Sequence, residues 1–311
     1  MRINHLKLAV LGLGLAVLTF SSCKKNESGD DLTSASDHTV VTQHLNASID
    51  DAANAAGGVG NLSGKTDGAY SLQGATIDSS QKASGILTIN YDGTTIVDGC
   101  FKRSGSVTLT LENYTSGTRW KDMGAVLDIS LNALKITNTI TGATYQYDGL
   151  HHITNVSGRL AWRILAGLDA GTVVHRHTAT GATITFSDGS QRTWNVNRLR
   201  TYTNAGGVIS MGLSSDNTID GLRNVDAWGT TRKGESFHNQ ILDPIVFNNS
   251  CGNYRQPKSG EDKISVATRS LDVLLGTDQN GTPVTGSCPW GYKVTYTVNN
   301  RVYTKVIQYW H

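Results

Sequence analysis

The sequence predicts an all-β protein, mostly antiparallel, built as a β-sandwich or a curved β-meander and preceded by a short amphipathic helix. Three observations carry that prediction. The composition is rich in turn formers: 34 of the 311 residues are Gly, Thr and Ser are abundant, and there are only four Glu. Such a profile departs from that of helical proteins. From about residue 84 onward, apolar residues recur at every second position, the period of a strand with one buried face. Between these runs lie the pairs Thr141-Gly142, Asp148-Gly149, Asp188-Gly189, Asn280-Gly281 and Asn299-Asn300, which tolerate positive φ and close hairpins.

The elements follow in chain order. Arg2 and Lys7 give a basic start, and Leu8 to Phe20 carry no charge. A basic start, a short apolar run and small residues at the cut describe a secretory signal peptide over residues 1–22. Thirteen residues fall short of the roughly 20 that span a bilayer as a helix. The run Phe20-Ser21-Ser22-Cys23 resembles the lipobox of bacterial lipoproteins, which implies cleavage before Cys23 and acylation of that cysteine. An ordinary signal-peptidase cut near the same place is the alternative. Cleavage removes two bases and no acid, leaving 25 Lys and Arg against 25 Asp and Glu. With no basic stripe, the sequence argues against nucleic acid as a partner.

Residues 23–36 are polar and are expected to form the lipidated N-terminus and a flexible tether. Residues 37–57 are expected to form the helix. Asp37 can cap it, Val41, Leu45, Ile49, Ala52 and Ala56 share one face, and Gly57-Gly58-Val59-Gly60 stops it. An irregular linker is expected over 58–83 and the β domain over 84–311. Within it, Ile86 to Tyr91, Val107 to Leu111, Thr172 to Thr178, Arg192 to Val196, Leu199 to Thr203 and Tyr292 to Val298 read as strands. So do Arg159 to Leu165 and a row of Leu134, Ile136 and Ile140 interrupted by Asn138. Leu109, Ile136 and Val294 are expected to be buried.

The candidate chemistry is sparse. Three cysteines follow Cys23, and an oxidising compartment permits disulfides. Cys251 and Cys288 are the expected pair, with Cys100 left reduced or serving as an alternative partner. His175 and His177 lie two apart on a strand, so both leave the same face. With His152 from an earlier segment they could hold Zn²⁺ or Cu²⁺, although a polar strand face gives the same pattern. Gly64-Lys65-Thr66 resembles the end of a phosphate loop, but Val59 stands where its first glycine would be. No His-Glu-x-x-His or Gly-x-Ser-x-Gly pattern occurs, and no cofactor is expected.

Several stretches resemble a group of uncharacterised outer-membrane lipoproteins common in the Bacteroidota. They are Asp98-Gly99-Cys100 with Arg103 and Gly105, Ser190 to Trp194 with Arg198 to Thr203, Gly229 to Ser236 through Pro244 to Cys251, and Cys288. Residues 158–180 and 252–262 depart from that pattern. The resemblance implies attachment to the outer membrane through lipid on Cys23, on either face, and supplies no catalytic residue. The expected role is a non-catalytic envelope domain that binds a protein or glycan, or scaffolds. A polysaccharide or peptide hydrolase and a carrier of lipid or another apolar ligand are the alternatives.

Overall fold

A computed structural model describes residues 27–58, 60–63, 72–97, 100–248, 256–267, 269–298 and 300–309. Helix α1 (Glu27–Gly58) and the short α2 (Gly60–Ser63) come first. Strands β1 (Ala75–Asp78), β2 (Ile86–Val97), β3 (Phe101–Leu111), β4 (Val126–Asn138) and β5 (Thr144–Asn155) follow. After a five-residue helix α3 (Ala161–Leu165) come β6 (Gly171–Phe186), β7 (Gln191–Ala205), β8 (Val208–Ser214), β9 (Thr218–Ile219) and β10 (Leu222–Arg223). The remaining strands are β11 (Val225–Thr230), β12 (Ser236–Asn248), β13 (Ser259–Val266), β14 (Arg269–Thr277), β15 (Gly291–Val298) and β16 (Arg301–Gln308).

The protein is mostly antiparallel β, and the sheet is a meander. Strands β1 to β7 pair in sequence order, then β11 to β16 continue the same sheet. Strands β8 and β11 share one place in it. The first half of β7 pairs with β11 and its second half with β8, and both pair with β12.

The sheet rolls around α1. Along the path from β3 to β15 there are nine inter-strand steps, about 43 Å if laid flat at ~4.8 Å each. One helix, about 10 Å across, contacts strands at both ends of that path. Only a curled sheet permits this. The bend is built from bulges aligned across neighbouring strands. Register shifts fall between Ser104 and Ser106, Leu131 and Leu134, Asp148 and His151, and Ala179 and Ala182. Bulges of this kind bend and twist a strand. At Gly105 (φ +95°) a Cβ would stand 2.4 Å from the Ala133 carbonyl oxygen, and at Gly149 (φ +143°) 3.0 Å from Ala182. The expected turn Asp148-Gly149 therefore marks a bend inside β5, and β2 runs on past the expected strand Ile86 to Tyr91 through a register shift between Asp92 and Ile96.

The core lies between the concave face and the helix. Leu109, Ile136 and Val294 are fully buried, as are Val41, Leu45, Ile49, Ala52 and Ala56. The helix nevertheless departs from its expectation in two ways. It starts at Glu27, inside the expected tether. It is also not amphipathic: Asp37, His38, Thr42, His44, Asn46 and Ser48 are buried too, and Thr39, Asp50, Asp51 and Asn54 are half-buried. An apolar face against a flat sheet would leave the other face wet, whereas a helix inside a curled sheet is covered all round.

Three further expectations are corrected. The 58–83 segment is not wholly irregular, since β1 pairs with β2. Arg159 to Leu165 is not a strand: Arg159 takes φ +72°, and α3 follows, with Trp162 beside Gly57 at the end of α1. Ile140 is 74 % exposed, because β4 ends at Asn138, whose side-chain oxygen accepts from the backbone N–H of Ile140 and Thr141 at 2.9 and 3.0 Å.

Candidate functional site

Two groups of chemistry-bearing side chains stand out among the described residues: a polar network inside the curled sheet and a small cluster on its outer face. Strand alternation sorts them. On β5, His151, Ile153 and Asn155 point inward and His152 outward; on β6, Val173, His175 and His177 point inward. On β7 the inward row is Arg192, Trp194, Val196, Arg198, Arg200 and Tyr202.

Inside, the helix is held by ion pairs. Arg103 on β3 donates to Asp51, which also accepts from the Tyr91 hydroxyl at 3.3 Å. Arg200 lies 2.5 Å from Asp50, and the Tyr202 hydroxyl donates to the same carboxylate at 2.6 Å. Arg200 also donates to the Asn46 carbonyl oxygen at 3.2 Å. Where α1 enters the buried region, Arg232 donates through Nε to Asp37 at 2.7 Å and lies 3.5 Å over the Phe186 ring. Burial raises the Asp37 carboxyl above the usual range, against the pull of Arg232. A second group joins the wall strands. Arg198 lies 2.8 Å from Asp226, which accepts from the Asn239 amide at 2.7 Å. Burial pushes Asp226, and Asp262 far more, above the usual carboxylate range despite Arg198 nearby. Arg192, stacked 4.3 Å from the Phe237 ring, is pulled down to about 10 by burial.

Burial disfavours the charged form of four interior histidines. His151 Nδ1 and His177 Nε2 are 2.9 Å apart, one donating to the other. His175 lies between the rings of Trp120 and Tyr202, at 5.1 and 5.2 Å. Burial lowers His151 and His175 to about 3, and His177 and His38 well below their ordinary value. A pocket of about 340 Å³, counting the solvent at its mouth, opens beside α1 and is lined by His38, Thr42, Ile245, Phe247, Asp262 and Leu275.

The expected metal trio is not assembled. His175 and His177 share the inward face, but His152 is on the other side of the sheet, paired with Asp128 at 2.6 Å. The residue that joins His177 is His151. Adjacent residues of one strand leave opposite faces, so choosing between His151 and His152 settles which face the cluster occupies. Cys288 is disulfide-bonded, while Cys251 and Cys23 lie outside the described residues. Cys100 is free and buried, and burial raises its thiol.

Sequence reasoning missed the buried arginines. The signal was present: Arg192, Arg198 and Arg200 occupy the same parity as Trp194, Val196 and Tyr202, so an apolar inward row contains three guanidinium groups. Buried cations call for buried acids: Arg200 meets Asp50 of the helix and Arg198 meets Asp226 of the wall. No protein-family model matches the chain, and neither does any curated protein or solved structure.

Proposed function

We propose that this chain is an exported envelope protein, anchored to the outer membrane by lipid on Cys23, whose β domain binds or scaffolds without catalysing a reaction. One observation carries the non-catalytic reading: the concave face of the sheet is occupied by the chain's own helix. Arg103, Arg200 and Arg232 are engaged by the helix's Asp51, Asp50 and Asp37. A carrier would need the same concavity for its ligand, and a hydrolase would need those carboxylates to face substrate. The outer face, rich in Thr, Ser and Asn, is what remains for a protein or glycan. The anchoring reading rests on the apolar run and the small residues before Cys23. Cys23 stands four residues before α1, a span of at most roughly 14 Å when extended, which would hold the domain close to the bilayer.

The test is palmitate labelling in growing cells. The native chain should take up label, and Cys23→Ala should take up none and either leave the membrane fraction or stall as precursor. Undiminished labelling of the variant would sink the anchoring reading. In the same cells, a cleavable cross-linker should trap a discrete envelope component on the native chain. Rapid turnover of an envelope polysaccharide or peptide by the purified chain would replace the binding reading with the hydrolase one.

A further inference from the structure

The geometry points to a divalent metal site on the outer face of the sheet, made by Glu112, Asp128 and His152, which takes a borderline ion of the Zn²⁺ class. This inference goes beyond the proposed binding role and does not depend on the anchor. Three neighbouring strands build the site. Asp128 on β4 and His152 on β5 are directly paired residues. Thr110 on β3 pairs with Asp128 from the other side, and Glu112 lies two residues beyond it, on the same face. Glu112 is itself fixed by its backbone N–H, which donates to the Val126 carbonyl at 3.0 Å. The alternate residues Leu111, Leu127, Ile129, His151 and Ile153 are buried, so the three outward side chains stand on a packed backbone.

One potential ligand atom from each residue lies within 4.8 Å of the others. An ion with donors at about 2.0–2.2 Å holds any two of them no more than about 4.4 Å apart, so small side-chain rotations from this spacing complete the site. The donor set selects the ion. Two carboxylates alone suit Ca²⁺ or Mg²⁺, while the added imidazole favours Zn²⁺ and its transition-metal neighbours. Charge points the same way. Among the described residues no ion pair joins Glu112 or Asp128 to a Lys or Arg, and the cationic partner that Asp128 has is His152. The closest guanidinium along β6, that of Arg176, is engaged at 2.7 Å by Asp216. A divalent ion would neutralise both carboxylates and leave the imidazole neutral. Glu112 is exposed, and Asp128 and His152 are 29 % and 41 % exposed, so water completes the coordination and the ion reaches the site from solvent, taking the place of the His152–Asp128 hydrogen bond.

The test is calorimetric titration of Zn²⁺ into the tag-free full chain. We expect one ion per chain, with affinity lowered about tenfold or more in His152→Ala and in Glu112→Gln. His238→Ala serves as the control, because His238 pairs with Asp220 at 3.0 Å without a third ligand, and it should bind as the native chain does. Glu112→Gln, at an exposed position, keeps the test decisive should His152→Ala disturb folding. The proposal is overturned by absence of Zn²⁺ uptake, by native affinity in Glu112→Gln, or by an equal loss in His238→Ala, which would indicate scattered surface binding.

Discussion

His175 shows how far burial alone moves a side chain. Its ring is packed between two aromatic rings, and neither ring nitrogen has a hydrogen-bond partner. Desolvation opposes the charged form, so the folded-state value falls to about 3 from an ordinary 6.5. The unfolded chain therefore binds this proton first as pH drops. The resulting stabilisation is complete above pH 6.5 and is lost as pH falls toward 3. Asp262 acts with the opposite sign: its carboxyl is raised above 3.8, so its contribution is complete below 3.8 and is lost as pH rises through the folded value. A comparison of variants cancels the Asp262 effect. His175→Phe should keep the native melting temperature at pH 7 or raise it, and should flatten the acid-side loss of stability by roughly 1 kcal/mol per pH unit. Identical acid profiles for the two chains, by urea titration between pH 6.5 and 4, would show that His175 is not held neutral.

At the scale of the element, α1 is a helix that its own polarity ties to the sheet. Its polar residues are matched to the wall: Asp51 to Arg103, Asp50 to Arg200 and Tyr202, Asp37 to Arg232. The two partners of one pair are not equivalent. Arg200 is fully buried, while Asp50 keeps 22 % of its side chain exposed. Asp50→Asn would strand a guanidinium charge in the interior, which costs about 3–5 kcal/mol. Arg200→Met leaves Asp50 with access to water and should cost less. The double variant should recover much of the Asp50→Asn loss, because the stranded charge is gone. Additive losses in a denaturant double-mutant cycle would mean that the pair does not couple. The sequence shows each half of this arrangement, acids on a helix and arginines in an apolar row, but Asp50 and Arg200 stand 150 positions apart.

For the whole molecule, helix and sheet are one folding unit. The concave face presents Leu87, Leu109, Leu127, Ile136 and Val294 to the interior that the helix fills. Exposing one such side chain forfeits about 1.5–3 kcal/mol, and domain stability is typically only about 5–15 kcal/mol. A chain lacking residues 27–58 should therefore lose cooperative unfolding and bind a hydrophobic dye. A sharp thermal transition at the native temperature in that truncated chain would show that the sheet is self-sufficient.

Local period was enough to identify many of the strands and their faces, though not Arg159 to Leu165, which is a bend and a helix, or Ile140, which lies beyond the end of β4. Alternation at Val107 to Leu111 and Tyr292 to Val298 depends only on neighbours two residues apart, so Leu109 and Val294 were legible as core. The apolar stripe of α1 was legible for the same reason. The curl, the burial of the helix on its polar side, and the separation of His152 from His175 and His177 were decided by tertiary structure. Each depends on bulges that shift strand register or on charge pairs that close only when distant strands meet; residue spacing shows at most one partner of such a pair, never which distant group it meets.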